Sequence, residues 1–168
     1  MDDIKDKAEQ AAHLEQAAEA PGKSYFDELY SVDVNGKTER KGNLTYLSWA
    51  WAWAEVKKRH PMAFYTVYET EQGCIYHTDG RTCWVKTGVT IDGLEHIEYL
   101  PVMDHRNKSI PLNAVTSTDV NKTIQRSLTK ACARHGLGLY IYAGEDLPED
   151  SKAQGIVQAA EAAGVPVQ

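Results

Sequence analysis

A length of 168 residues fits one domain, and 42% hydrophobic with 25% charged residues is ordinary for a soluble globular chain. No apolar run reaches the ~18 residues of a membrane span, and no charged start leads into an apolar secretory stretch, so a cytoplasmic location is expected rather than a membrane or exported one. The net charge of −6 is uneven: residues 1–40 carry 5 Lys/Arg against 10 Asp/Glu, residues 41–146 carry 12 against 11, and residues 147–168 carry 1 against 3. The acidity therefore lies at the ends. Phosphate binding depends on how cations are arranged on a surface rather than on their total.

Residues 1–20 are rich in Ala, Glu and Gln, with Ile4 and Leu14 the only large apolar residues, and they predict a flexible acidic tail ended by Pro21-Gly22. From Tyr25 to Lys41 the pattern is mixed, with a tight turn expected at Asn35-Gly36. Residues 47–60 predict a helix capped by Ser48 and ended by Pro61. Trp49, Ala52, Trp53 and Val56 follow the spacing of one buried face and leave Trp51 on another. The three tryptophans also alternate as in a strand, but the alanines between them favour helix.

Residues 64–76, 82–91 and 94–103 are rich in β-branched and aromatic residues, with Asp79-Gly80 and Asp92-Gly93 at the joins. They predict a three-stranded antiparallel meander in which Ile91 faces Leu94 and Lys86 faces Tyr99. A long helix is expected over 117–135. Thr116 and Asp119 resemble a capping box, Gly136 and Gly138 supply the stop, and Val120, Ile124, Leu128, Ala131, Cys132 and His135 form the inner face. The final 20 or so residues, Ala- and Gly-rich, read as loosely held. The fold class that follows is α+β: an N-terminal helix, the meander, and a long C-terminal helix packed on the sheet.

Lys122, Arg126, Lys130 and Arg134 recur every four residues. Each step of four drifts by only about 40°, so they form one winding stripe roughly 18 Å long. Such a row can track about five phosphates without reading sequence. A solvated helix face is the plainer explanation of most charge runs. Against it stands the lack of Glu or Asp at i±4 along the stripe. Weaker candidates are Lys57 and Lys58 at the end of the Trp-rich helix, Arg81 and Lys86 on the meander, and Arg106 and Lys108 in the following loop. Tyr65, Trp84 and Tyr99 are aromatic residues able to stack bases, although cross-strand packing is their commoner use.

Enzymatic readings find little. Gly22-Lys23-Ser24 resembles the end of a phosphate loop but lacks the earlier glycine and a preceding strand. Asp104-His105-Arg106-Asn107 lacks surrounding carboxylates, and Glu55-Val56-Lys57 has no partner aspartate nearby. The histidines have no metal-ligand spacing, and Cys74, Cys83 and Cys132 have neither disulfide nor zinc spacing. No catalytic residue, metal or cofactor is expected.

Several stretches resemble the Sak-type single-strand annealing proteins of bacteriophages. These are Leu44-Thr45-Tyr46-Leu47-Ser48-Trp49-Ala50, Thr78-Asp79-Gly80-Arg81-Thr82, Glu98-Tyr99-Leu100-Pro101-Val102-Met103-Asp104, Asp119-Val120-Asn121-Lys122 with Gln125-Arg126, and Ala133-Arg134-His135-Gly136-Leu137-Gly138-Leu139-Tyr140. The resemblance runs from about residue 25 to 148, and this family is similar to the eukaryotic Rad-fifty-two annealing core. It implies a ring or helical homo-oligomer carrying single-stranded DNA in a positive groove, lined by the long helix and adjoining hairpin. It places Lys130 on a basic position of the pattern, whereas Thr129 and Ala133 stand where the pattern carries basic residues. Together with the composition of the two ends, this gives a flexible acidic tail over 1–23, an annealing domain over 24–148 and a flexible tail over 149–168.

The expected function is therefore ATP-independent strand annealing in phage recombination and repair, inside the bacterial host. Single-stranded DNA and further copies of the chain are the expected partners, and a host single-stranded DNA-binding protein is a further candidate. The alternatives are a protein-interaction module docking through the Trp-rich helix, which Trp51 favours, and a metal-dependent nuclease.

Overall fold

The computed structural model describes residues 22–42, 44–143, 145 and 158–165. Helix α1 (Tyr25–Tyr30) begins at a capping box in which the Ser24 hydroxyl accepts from Asp27 N–H and the Asp27 carboxylate accepts from Ser24 N–H. Gly22-Lys23-Ser24 is thus the lead-in to a helix cap. After a turn with Gly36 at φ +74°, strands β1 (Thr38–Lys41) and β2 (Leu44–Leu47) form an antiparallel hairpin in which Glu39 faces Tyr46 and Lys41 faces Leu44. Helix α2 (Trp49–Arg59) starts where the Ser48 hydroxyl accepts from Trp51 N–H.

Strands β3 (Phe64–Val67), β4 (His77–Thr78), β5 (Cys83–Ile91) and β6 (Leu94–Pro101) form a second antiparallel sheet. The α+β class holds, but the single three-stranded meander does not: there are two sheets, of two and four strands. In the larger one β6 pairs along one edge of β5, and β3 and β4 share the other. The stretch expected to be one strand over 64–76 breaks because Thr70 to Cys74 close their own turn. There Thr70 N–H donates to the Cys74 carbonyl at 2.9 Å, Gly73 N–H to that of Thr70 at 2.9 Å, and Gly73 takes φ +77°. Those groups are then unavailable to β5. The β5–β6 hairpin has the expected register, with Lys86 opposite Tyr99 and Ile91 opposite Leu94. Its two-residue turn places Asp92 at φ 49° and Gly93 at φ 82°, the left-handed pair a type I′ turn requires.

Helix α3 (Ser117–Arg134) crosses β5 and β6, begins at the Thr116–Asp119 capping box and ends before Gly136 at φ +119°. Val120, Ile124, Ala131 and Cys132 are buried along it, together with Thr123, Ser127, Thr129 and Ala133. The Thr87 and Ser127 hydroxyls meet at 2.7 Å, which fixes Thr87 on the helix-facing side of β5 and therefore Lys86 on the opposite side. Leu29, Val34, Leu47, Ala52, Val56, Val89, Ile91 and Leu137 form the main core, which residues 158–165 join through Ala160, Ala163 and Val165. A second cluster joins Cys83, Val85, Leu100, Val102, Val120 and Ile124. Of the two expected tails, residues 1–21, 149–157 and 166–168 lie outside the described residues.

The tryptophans of α2 depart from the expected face. Ala52 and Val56 are buried and Trp53 packs beside them, but Trp51 also packs against the main core while Trp49 is 49% exposed. By angle Trp49 is only about 60° from Ala52. Its angle therefore does not account for its exposure, which depends on what the rest of the fold packs beside it.

Candidate nucleic-acid interface

The face of α3 that carries the cations is flanked by the β1–β2 hairpin. Lys122 and Arg126 line a groove of about 890 Å³ whose far wall is built from Lys37, Lys41, Tyr46 and Trp49. Arg126 stacks on Tyr46, its guanidinium 4.5 Å from the ring centroid, and Lys41 approaches the same ring at 5.5 Å. One aromatic ring thus ties hairpin to helix by cation–π contact. A second, smaller cleft of about 270 Å³ adjoins the first, since Arg126, Tyr46 and Thr129 line both; it adds Lys130, Tyr142 and Glu145.

Carboxylates also border this surface. Glu39 lies 3.6 Å from Lys41. Asp119 and Asp104 are already engaged: Asp119 caps α3 by accepting from the Thr116 hydroxyl at 2.6 Å and from Thr116 N–H at 2.9 Å, and Asp104 accepts from the N–H groups of Lys108 and Arg106 at 3.1 and 2.8 Å. These hydrogen bonds hold both carboxyls below their ordinary pKa, so they stay ionised near neutrality. The main groove combines four cations, Lys37, Lys41, Lys122 and Arg126, with three carboxylates, Glu39, Asp104 and Asp119.

The candidate cations divide accordingly. Lys122, Arg126 and Lys130 share the two adjoining clefts. Arg106 and Lys108 are exposed on the loop that supplies Asp104 and His105 to one cleft and Asn107 to the other. Lys130 is already paired, its ammonium 3.1 Å from the Glu145 carboxylate and 5.2 Å from the Tyr142 ring centroid.

The remaining candidates lie outside the two clefts. Arg134, the last of the stripe, donates through Nε to the buried carboxylate of Glu98 on β6. Lys57 donates to the Pro61 carbonyl and to that of Ala63 at 2.8 Å, closing the C-terminus of α2. Lys58 and Arg59 bind Glu55 at 2.8 and 2.6 Å. Lys86 lies on the far side of the sheet between Tyr68 and Tyr99, 4.5 and 5.6 Å from their centroids. Arg81 is exposed on the β4–β5 turn and lines neither cleft. Lys37, Lys41, Tyr46 and Trp49 were not singled out by the charge pattern. Gly42-Asn43 ahead of Leu44-Thr45-Tyr46-Leu47 is the one turn signal that could have pointed to their hairpin.

Among the described residues no three His, Cys, Asp or Glu side chains converge as a metal-ligand group, and no helix is long and apolar enough to cross a membrane. Burial drives the Cys132 thiol up to about 12, so it is not a nucleophile at neutral pH. What the fold presents is an α+β domain with a cation-bearing helix facing a basic hairpin across an open groove. Residues 23–166 match the family described as Sak Single Strand Annealing Protein, and the chain belongs to that family. No curated protein and no solved structure matches the chain.

Proposed function

We propose that this chain binds single-stranded DNA along the groove between α3 and the β1–β2 hairpin and anneals complementary strands. The observation that carries the reading is the gathering of Lys122, Arg126, Lys37 and Lys41 around one groove, with Arg126 leading on to Lys130. Family membership supports it. The step is noncovalent: ammonium and guanidinium groups neutralise phosphates, backbone repulsion falls, and a second strand samples register until base pairing holds. Neither a nucleotide nor a metal enters this scheme. A few cations per protomer grip a strand weakly, so a ring or helical homo-oligomer would add their contacts along one strand. The setting is phage recombination and repair in the host cytoplasm, with a host single-stranded DNA-binding protein as a candidate partner.

The interaction-module alternative rested on Trp51 lying off the buried face of its helix, and Trp51 packs against the core. No observation among the described residues favours a nuclease.

The test is annealing of two complementary oligonucleotides without nucleotide, comparing wild type with Lys122→Ala, Arg126→Ala and Lys130→Ala. Binding should weaken with salt at a slope of about −3 if about four phosphates are neutralised per protomer. A flat salt response, or full annealing by a Lys122→Ala/Arg126→Ala double variant, would overturn the reading.

A further inference from the structure

The run Trp49-Ala50-Trp51-Ala52-Trp53 places three indoles within five residues, and they do different things. Trp51 and Trp53 pack against the main core, and Trp53 also meets Tyr65 edge-on at 5.5 Å between centroids. Trp49 is 49% exposed and belongs to neither core cluster. Its folding contribution is small for so large a side chain, since half of it stays in water. It nevertheless lines the same groove as Lys37, Lys41, Lys122 and Arg126. An apolar ring among cations suits a ligand that is anionic and carries flat aromatic units at intervals. Single-stranded nucleic acid has that chemistry.

We propose that Trp49 is a base-stacking residue, which holds one nucleobase of a strand whose phosphates the neighbouring cations neutralise. The proposal rests on the single-strand reading given above and adds a base contact to it. Stacking engages the face of a base and leaves its pairing edge free, so a stacked base stays available to an incoming complement. In a duplex that face is covered by the next base pair. Trp49 therefore favours single over double strands, a discrimination the phosphate contacts alone supply poorly.

The experiment is a fluorescence-anisotropy titration of oligothymidylate and of an equally long strand of abasic sites. The proteins are wild type, Trp49→Phe, Trp49→Ala and Lys122→Ala, each checked for folding by circular dichroism. Wild type should bind oligothymidylate roughly five- to 150-fold more tightly than the abasic strand. Trp49→Ala should lose that preference while keeping the wild-type salt slope, and Trp49→Phe should retain most of it. Lys122→Ala should weaken both strands alike and lower the slope by about 0.7. Equal wild-type affinity for the two strands overturns the stacking proposal without reference to any variant. So does a Trp49→Ala protein that keeps the preference. Wild type binding neither strand would instead remove the single-strand reading itself, and the stacking proposal with it.

Discussion

The guanidinium of Arg126 rests 4.5 Å from the centroid of the Tyr46 ring, joining the long helix to the β1–β2 hairpin. The contact holds a flexible side chain at the junction of the two clefts, where a phosphate would meet it already positioned. A cation–π contact at a partly exposed site is worth about 0.5–1 kcal/mol. Tyr46→Ala should therefore weaken single-strand binding about two- to fivefold, with Tyr46→Phe near wild type because the ring is kept. An oligonucleotide titration checks this, and a Phe variant as weak as the Ala variant would move the role from the ring to the hydroxyl.

Arg134 shares the spacing of the stripe but not its surroundings. Its Nε donates to Glu98, whose side chain is buried between sheet and helix. Arg134→Ala would leave that carboxylate short of its partner. Because the Arg134 side chain is itself 55% exposed, water replaces part of the loss, and a destabilisation of about 1–2 kcal/mol is expected rather than the full cost of a buried pair. Urea unfolding should register it, while single-strand affinity stays within about twofold of wild type. A variant of unchanged stability that bound DNA far more weakly would return Arg134 to the groove.

These two arginines mark how far the sequence could be read. Helix α3 was legible because Thr116 and Asp119 cap it and Val120, Ile124, Ala131 and Cys132 repeat at helical spacing. The β5–β6 hairpin was legible because Asp92-Gly93 admits the left-handed turn. The cations' partners were not, because the search for carboxylates along the helix could not find Glu98, 36 residues from Arg134, or Glu145, 15 from Lys130. The hairpin opposite α3 was missed for a local reason. Its strands are four residues long and one is mostly charged, so neither gives an alternation that stands out from a loop. The cations' partners are matters of tertiary placement, as is the solvent exposure of Trp49.

His135 gives the fold a response to acid. It is fully buried at the end of α3, with Nε2 2.8 Å from the Val89 carbonyl, Nδ1 3.4 Å from the Tyr25 hydroxyl, and the His96 ring 4.4 Å away between centroids. Desolvation holds its pKa below the ordinary 6.5, and His96 and His60 add to the shift. The unfolded chain therefore takes up a proton first, and stability that is full above about pH 6.5 declines as the pH falls through the interval below it. Glu55, Asp79, Asp104 and Asp119, all with lowered pKa, lose their contributions only further down, below their ordinary 4.5 or 3.8. The Tm should fall between about pH 7 and about pH 5.5, and His135→Gln, which does not titrate, should flatten that segment while lowering the whole curve. An unchanged slope in the variant would place the effect on another group.

Lys130 is the groove cation already holding an anion. Its ammonium sits 3.1 Å from Glu145 in a part-buried pair, with both side chains 27% exposed at the edge of the cleft, where a phosphate can reach them. A carboxylate and a phosphate compete for the same donor, and when Lys130 turns to a phosphate the freed Glu145 remains beside the strand and repels it. Glu145→Gln removes both effects while keeping size and hydrogen-bonding capacity. Single-strand binding should tighten about two- to fivefold, and the salt slope should steepen by up to about 0.7, the share of one phosphate. Lys130→Ala should then cost more in the Glu145→Gln background than in wild type, and a double-mutant cycle isolates that difference. If Lys130→Ala weakens binding equally in both backgrounds, Glu145 does not hold Lys130 back, and the ion pair serves only to fasten the chain after Tyr142 onto α3.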